Sequence, residues 1–245
     1  MMVTRKPSAI TIYYTASQEE TFVENLKKKS TLVHGCLLLL FGITHVYTIW
    51  FSWNKNRSII LDYLYLTHWN LTFHVFFLAI ELLSDLSLSF DEMTIIFRNK
   101  FLHSILIPSS ICVSIGFWAI CIIFDENLIR GPPEERWPEW HNQISHTAIL
   151  PAILIECMIV EHQLPKWFPS LMITIVIGST YMFWVIFVGV VFQKHAYELI
   201  QNASATKLAS LFLLLTILLI IANIIGRWLH IKYWRRMRRR KMINK

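Results

Sequence analysis

The 245-residue chain is 55% hydrophobic and only 16% charged, against about 25% charged in a soluble domain. Together with a mean hydropathy of +0.47, this excludes a soluble enzyme with a large solvated surface and points to an all-α integral membrane protein with short loops. With seven glycines and no phosphate-cradling loop, a nucleotide site is not expected, and no Cys/His spacing resembles a zinc site, so neither cofactor nor metal is expected.

In chain order, residues 1–30 form a polar N-terminal segment ending in Lys27-Lys28-Lys29. The first apolar run follows those thirty polar residues and is too long for the core of a signal peptide, so no cleavable signal is expected. Six windows approach or exceed the roughly 20 residues that cross a bilayer, near 31–53, 61–84, 101–124, 144–160, 169–192 and 208–231. The fourth is the shortest; it carries Glu156, ends at Glu161-His162, and its start extends back toward Trp140. Residues 31–231 therefore read as a bundle of six transmembrane helices, and residues 232–245 as a basic tail. The cysteines Cys36, Cys112, Cys121 and Cys157 all fall inside predicted spans, leaving no loop disulfide framework.

The net charge of +7 is concentrated at the ends of the chain. The lysines before the first span and Arg235, Arg236, Arg238, Arg239, Arg240 and Lys241 after the last place both termini in the cytosol, as an even number of spans allows. The loop with Asp125, Glu126, Glu134, Glu135 and Glu139, and the triplets Asn56-Arg57-Ser58 and Asn202-Ala203-Ser204, then face outward. A basic cluster this dense suggests nucleic acid in a soluble protein. Here it follows a span and is interleaved with Trp228, Tyr233 and Trp234, so its expected partner is anionic lipid and no nucleic acid. The run Arg238-Arg239-Arg240 also reads as a retention address; the endoplasmic reticulum or another endomembrane, or the plasma membrane, is the expected location.

Two spans carry polar stripes. In the second, Thr67, His74 and Glu81 recur every seven residues, nearly two turns, with Asn70 on the same side. In the fourth, Asn142, His146 and Glu156 share an arc filled by Ile149 and Ile153. Lipid penalises each polar group, so both faces point into the bundle. Both spans run inward from the outer side, with Thr67 about two turns into its span and His146 near the start of its own. A hydroxyl and an imidazole at one depth are the requirements of nucleophilic catalysis. The residues alone leave other readings open: a threonine bonded to its own helix, a histidine joining helices, or Asn142 as a helix cap. Glu81 is about 21 Å along the helix from Thr67 and Glu156 about 15 Å from His146, so neither reaches the histidine. Asn142, one turn before His146, is the nearer candidate for orienting the ring or donating to an oxyanion, with Asn70, Asp62 and His45 as further candidates.

The segment Trp140-His141-Asn142-Gln143-Ile144-Ser145-His146-Thr147-Ala148-Ile149-Leu150-Pro151, continuing to Ile153-Leu154-Ile155-Glu156, resembles the signature of the androgen-induced and androgen-dependent regulator family of multi-pass proteins. So do Tyr65-Leu66-Thr67, Phe76-Phe77 and Asp85, and more weakly Pro108, Phe117-Trp118, Asp125, Tyr181 and Trp184-Val185. The similarity runs from about 33 to 235. Family members are intramembrane threonine hydrolases that cleave fatty acid esters of hydroxy fatty acids. The resemblance implies a lipid ester substrate, Thr67 as nucleophile, His146 as base and six spans. Gln143 stands where some relatives have a second histidine, so no role passes to it. The rival reading is a non-enzymatic membrane regulator, or a small transporter using His74, Glu81 and Glu156; the chain shows no convincing internal repeat or paired broken spans to favour transport.

Overall fold

A computed structural model describes residues 9–87, 92–123, 136–194 and 204–243, with side chains described between Lys28 and Arg239. Among the described residues the protein is all-helical, with no strand. In order, the helices are α1 (Ala9–Asn54), the single turn α2 (Ile59–Asp62), α3 (Leu66–Leu86), α4 (Glu92–Phe101), α5 (Ile107–Ile123), α6 (Glu139–Gln143), α7 (Ile149–Ile159), α8 (Trp167–Phe192) and α9 (Ala205–Ile243). Two π-helical segments join neighbours without a break: Leu102–Leu106 between α4 and α5, and Ile144–Ala148 between α6 and α7.

Among the described residues, five helices are long and apolar enough to cross a membrane: Lys28–Asn54, Leu66–Leu86, Glu92–Ile122, Trp167–Phe192 and Ala205–Arg239. The window expected at 144–160 is covered by the composite rod from α6 to α7. Its polar start, Glu139-Trp140-His141-Asn142-Gln143, sets it apart from those five. Their outward surfaces are strongly apolar, with Leu32, Leu39, Ile122, Phe183 and Val190 each about two-thirds exposed or more. Apolar side chains so widely exposed mark a lipid-facing surface rather than a water-facing one. The acidic residues Asp125, Glu126, Glu134 and Glu135, and Asn202 and Ala203, lie outside the described residues.

Helix starts differ from the hydropathy reading: α1 already begins at Ala9, ahead of the expected 31. The second span begins at Leu66, not 61, because the chain is arrested between Asp62 and Tyr65. Tyr65 is extended (φ −102°, ψ 129°). The indole of Trp69 donates to the Tyr63 carbonyl at 2.8 Å, and the Tyr181 hydroxyl to the Leu64 carbonyl at 2.9 Å. Side chains thus take acceptors that a continuing helix would use. Thr67 consequently lies in the first turn of α3, not two turns into a span. The third helix begins at Glu92, well before the expected 101, since a window of apolar residues does not register the amphipathic turns of α4.

α1 packs along α3, and α9 along α5 and α8, while the Ile144–Ala148 segment touches α1, α3 and α5. The core between them contains Phe41, Leu71, Phe77, Leu102, Leu106 and Ile149, all essentially inaccessible. α9 approaches α5 where Gly226 faces the Ile107 side chain, and approaches α8 where Gly178 faces a methyl of Leu219. Just past the end of α1 at Asn54, Asn56 has a left-handed φ of 51° that lets the Arg57 amide turn back to the Ser52 carbonyl at 2.8 Å.

Candidate active site

Most threonines in these helices return their hydroxyl to the carbonyl four residues earlier, as Thr44 does to Leu40, Thr72 to His68, Thr180 to Val176 and Thr216 to Phe212. Thr67 does not. As the second residue of α3 it has no helical carbonyl one turn behind it, and the Tyr63 carbonyl at that position already holds the Trp69 indole. Its Oγ1 instead lies 3.1 Å from Nε2 of His146, across the bundle. The polar group that a mid-helix threonine satisfies internally is here turned toward another element.

His146 belongs to the π segment Ile144–Ala148. Its Nδ1 is 3.0 Å from the backbone carbonyl of Asn142. A carbonyl only accepts, so Nδ1 carries the hydrogen and, in the neutral ring, Nε2 presents its lone pair to the Thr67 hydroxyl. Phe117 of α5 stacks on the imidazole, with centroids 3.6 Å apart and planes 18° from parallel. Ring plane, tautomer and direction are therefore set by three different elements. The expected contribution of Asn142 is realised through its main chain, not its amide. A π turn at a functional position is a recurrent association, because the wide turn re-aims a side chain that a regular helix would present elsewhere.

The other sequence candidates are placed away from this pair. Asn70 donates to Ser109 at 2.8 Å and to Ser110 at 3.0 Å, tying α3 to α5. Asp62 accepts a short hydrogen bond from Ser52 and faces Arg57 at 3.9 Å. Burial raises its carboxyl above the ordinary aspartate range, against the opposing pull of Ser52 and Arg57. Glu81 pairs with Arg98, and Glu156 bonds to His34 at 2.7 Å and His162 at 2.6 Å. Gln143 works on the outer face, donating to Glu139 at 3.1 Å and accepting from Thr147 at 2.9 Å.

Thr67 and His146 open on a cavity of about 410 Å³. One end is polar, formed by Arg57, Arg136, His68 and His141. The remainder is apolar, formed by Val113, Ile120, Met182, Val185, Leu211 and Leu215 among others. Trp137 stacks on His141 at 4.5 Å and 17°, closing the polar end. His74, Glu81 and Glu156, on which a transport reading depends, do not line this cavity. Sequence reasoning missed Arg57, Arg136, Phe117 and His141 as site residues. The first two fall in connecting segments, and only the folded chain brings them to the histidine.

A largely apolar cavity whose lining includes a hydroxyl, an imidazole oriented by the Asn142 carbonyl, Arg57 and Arg136 suits an amphiphile with a reactive carbonyl. Residues 30–231 match the family described as FAR-17a/AIG1-like protein. No curated protein and no solved structure matches the chain significantly.

Proposed function

The chain belongs to the FAR-17a/AIG1-like family, and from that membership and the Thr67–His146 hydrogen bond we propose that it is an intramembrane hydrolase of fatty acid esters of hydroxy fatty acids. The observation that carries the reading is the directed contact itself: Nε2 of His146, freed as an acceptor by the Asn142 carbonyl, 3.1 Å from the Thr67 hydroxyl.

In the first half-reaction His146 takes the Thr67 proton while Oγ1 adds to the ester carbonyl carbon. The tetrahedral intermediate collapses by breaking the bond to the alkyl oxygen, which takes the proton from His146 and leaves as the hydroxy fatty acid. Water, deprotonated by the same ring, then adds to the acyl-threonine. Collapse releases the fatty acid and returns the proton to Thr67. Charge on the tetrahedral oxygen requires donors. The amides of Leu66 and Thr67 at the start of α3 are those at hand, since the His68 amide is bonded to the Tyr65 carbonyl and Tyr65 caps the helix without a side-chain hydrogen bond, and the helix start carries partial positive charge. The face of Phe117 favours the imidazolium formed in each step.

The apolar slot accommodates an acyl chain, and Arg57 and Arg136 meet the free carboxylate that distinguishes this ester class from neutral lipids. For the whole chain, the proposed topology has six spans with the α6–α7 rod as the fourth and both termini cytosolic. Residues 1–30 and 232–245 flank the membrane domain, the site lies toward the outer leaflet, and the basic end meets anionic lipid. The membrane is an endomembrane such as the endoplasmic reticulum, or the plasma membrane.

Purified protein in detergent is expected to react with a fluorophosphonate probe and to hydrolyse a branched ester of a hydroxy fatty acid. Thr67→Ala and His146→Ala should each lose both properties, while Thr67→Ser retains measurable turnover. Full labelling and turnover in either alanine variant would refute the assignment.

A further inference from the structure

A second buried polar cluster lies on the other side of the bundle from Thr67. Glu156 is ten residues beyond His146 on the same rod, a separation of about 15 Å at the helical rise. Its Oε2 is 2.7 Å from Nε2 of His34 on α1, and its Oε1 is 2.6 Å from Nε2 of His162 in the segment after α7. Glu81 of α3 is close by: one donor atom each from His34, Glu81 and Glu156 lie within 4.8 Å of one another. His34, Glu81, Glu156 and His162 are all buried, at most 4% exposed.

The far side of each imidazole fixes its protonation. Nδ1 of His34 faces an oxygen of Asp85 at 2.8 Å, and a carboxylate only accepts, so this nitrogen carries hydrogen. Nδ1 of His162 faces Oδ1 of Asn99 at 3.2 Å; the same oxygen receives the Gln163 amide at 3.2 Å, which identifies it as the acceptor atom. With both Nδ1 atoms protonated, two neutral rings would aim two Nε2 lone pairs at the lone pairs of one carboxylate. That arrangement is repulsive and buried. It is made attractive either by two additional protons or by one divalent cation. Charge counting gives the same requirement: Glu81 pairs with Arg98, whereas Asp85 and Glu156 face His34 and His162, so with neutral rings two negative charges are left unbalanced among largely buried groups.

We infer that His34, Glu81 and Glu156, with His162 on the second oxygen of the Glu156 carboxylate, form a binding site for one divalent transition-metal ion. Imidazoles whose remote N–H is held by a carboxylate and an amide carbonyl are already set as ligands, in the tautomer and orientation that metal-bound histidines adopt. Zinc bonds of about 2.0–2.2 Å to nitrogen and oxygen place donor atoms roughly 3.3 Å apart in a tetrahedron, so the His34 ring backs off from its 2.7 Å contact with Glu156 while the wider group, now within 4.8 Å, draws together. Glu81 keeps Arg98 on its oxygens and still has lone pairs to offer. The ligands come from α1, α3, α7 and the segment after it, at positions 34, 81, 156 and 162, so no short spacing motif announces them. A cavity of about 750 Å³, lined by Glu161 and by Arg235 and Arg238, reaches His162.

The test uses tag-free full-length protein in detergent, stripped with chelator, equilibrated with zinc chloride and desalted. Wild type should retain about one zinc per chain by elemental analysis, with a melting temperature that rises on zinc addition. Glu156→Gln and His162→Gln should retain less than about a tenth as much, and His146→Ala should retain it all. His162→Gln lies outside the helices and so tests the ligand without removing a helical core side chain. Wild type holding no more zinc than Glu156→Gln would show that two protons, not a metal, balance the cluster. Zinc lost on His146→Ala but kept in His162→Gln would place it at the other site. Either result overturns the inference.

Discussion

The Thr67 hydroxyl differs from its counterparts at Thr44, Thr72 and Thr216 only in where α3 begins. Polar residues on otherwise apolar spans made Thr67 and His146 visible in the sequence, because lipid leaves few reasons to keep them. The ring's orienting partner was not legible. A backbone carbonyl exists at every residue, and its selection depends on the turn geometry around Asn142. Phe117 was visible only within the weak family match Phe117-Trp118, and nothing marked it, one of sixteen phenylalanines, as the ring's stacking partner. On the proposed mechanism, its stack on His146 would favour the protonated ring of each tetrahedral intermediate. Phe117→Ala is therefore expected to lower kcat roughly fivefold, about 1 kcal/mol, with KM little changed; steady-state kinetics on one ester provide the check. Arg57→Gln or Arg136→Gln should raise KM roughly tenfold for the free acid and leave its methyl ester unaffected. Equal effects on both substrates would remove the carboxylate from the assignment.

At the level of the helices, hydropathy located the apolar segments and misjudged their ends. The start of α3 depends on the Trp69 and Tyr181 side chains taking main-chain acceptors, and α4 adds amphipathic turns that an apolar window passes over. The two π segments were also hidden. Each admits an extra residue into the turn, so a periodicity followed through His146 loses phase at that point. Packing between helices gives a sharper prediction. A Cβ at Gly226 would collide with the branch methyl of Ile107, which is stiff at χ1. A Cβ at Gly178 would meet the tip of Leu219 at 2.6 Å, which can rotate away. Gly226→Ala should destabilise by about 1–3 kcal/mol and Gly178→Ala by less than about 1 kcal/mol, measured as the loss of thermal midpoint in detergent.

For the molecule as a whole, composition was sufficient to identify an all-helical membrane protein. The fractional exposure of Ile122 (84%) and Phe183 (69%) shows the same apolar surface in three dimensions. The basic end is less uniform than its sequence suggests. Trp234 is buried, with its indole donating to the Cys157 carbonyl at 2.9 Å, and Lys232 lies 4.5 Å from the ring of Trp228. Arg235, Arg238 and Arg239 instead surround the second cavity. Replacing these three with glutamine should weaken binding of the purified protein to vesicles rich in phosphatidylserine, by about 1 kcal/mol per charge at low salt, and leave binding to neutral vesicles unchanged. Vesicle flotation at two salt concentrations measures it. At the opposite end, the indole of Trp137 against His141 gives the protein an optical handle. An imidazole in van der Waals contact quenches indole emission according to its own charge and polarity, so an acyl acid moving into the slot changes the brightness of one tryptophan. Subtracting the Trp137→Phe spectrum isolates that signal from the other nine, and occupancy can be followed in real time without labelling the lipid.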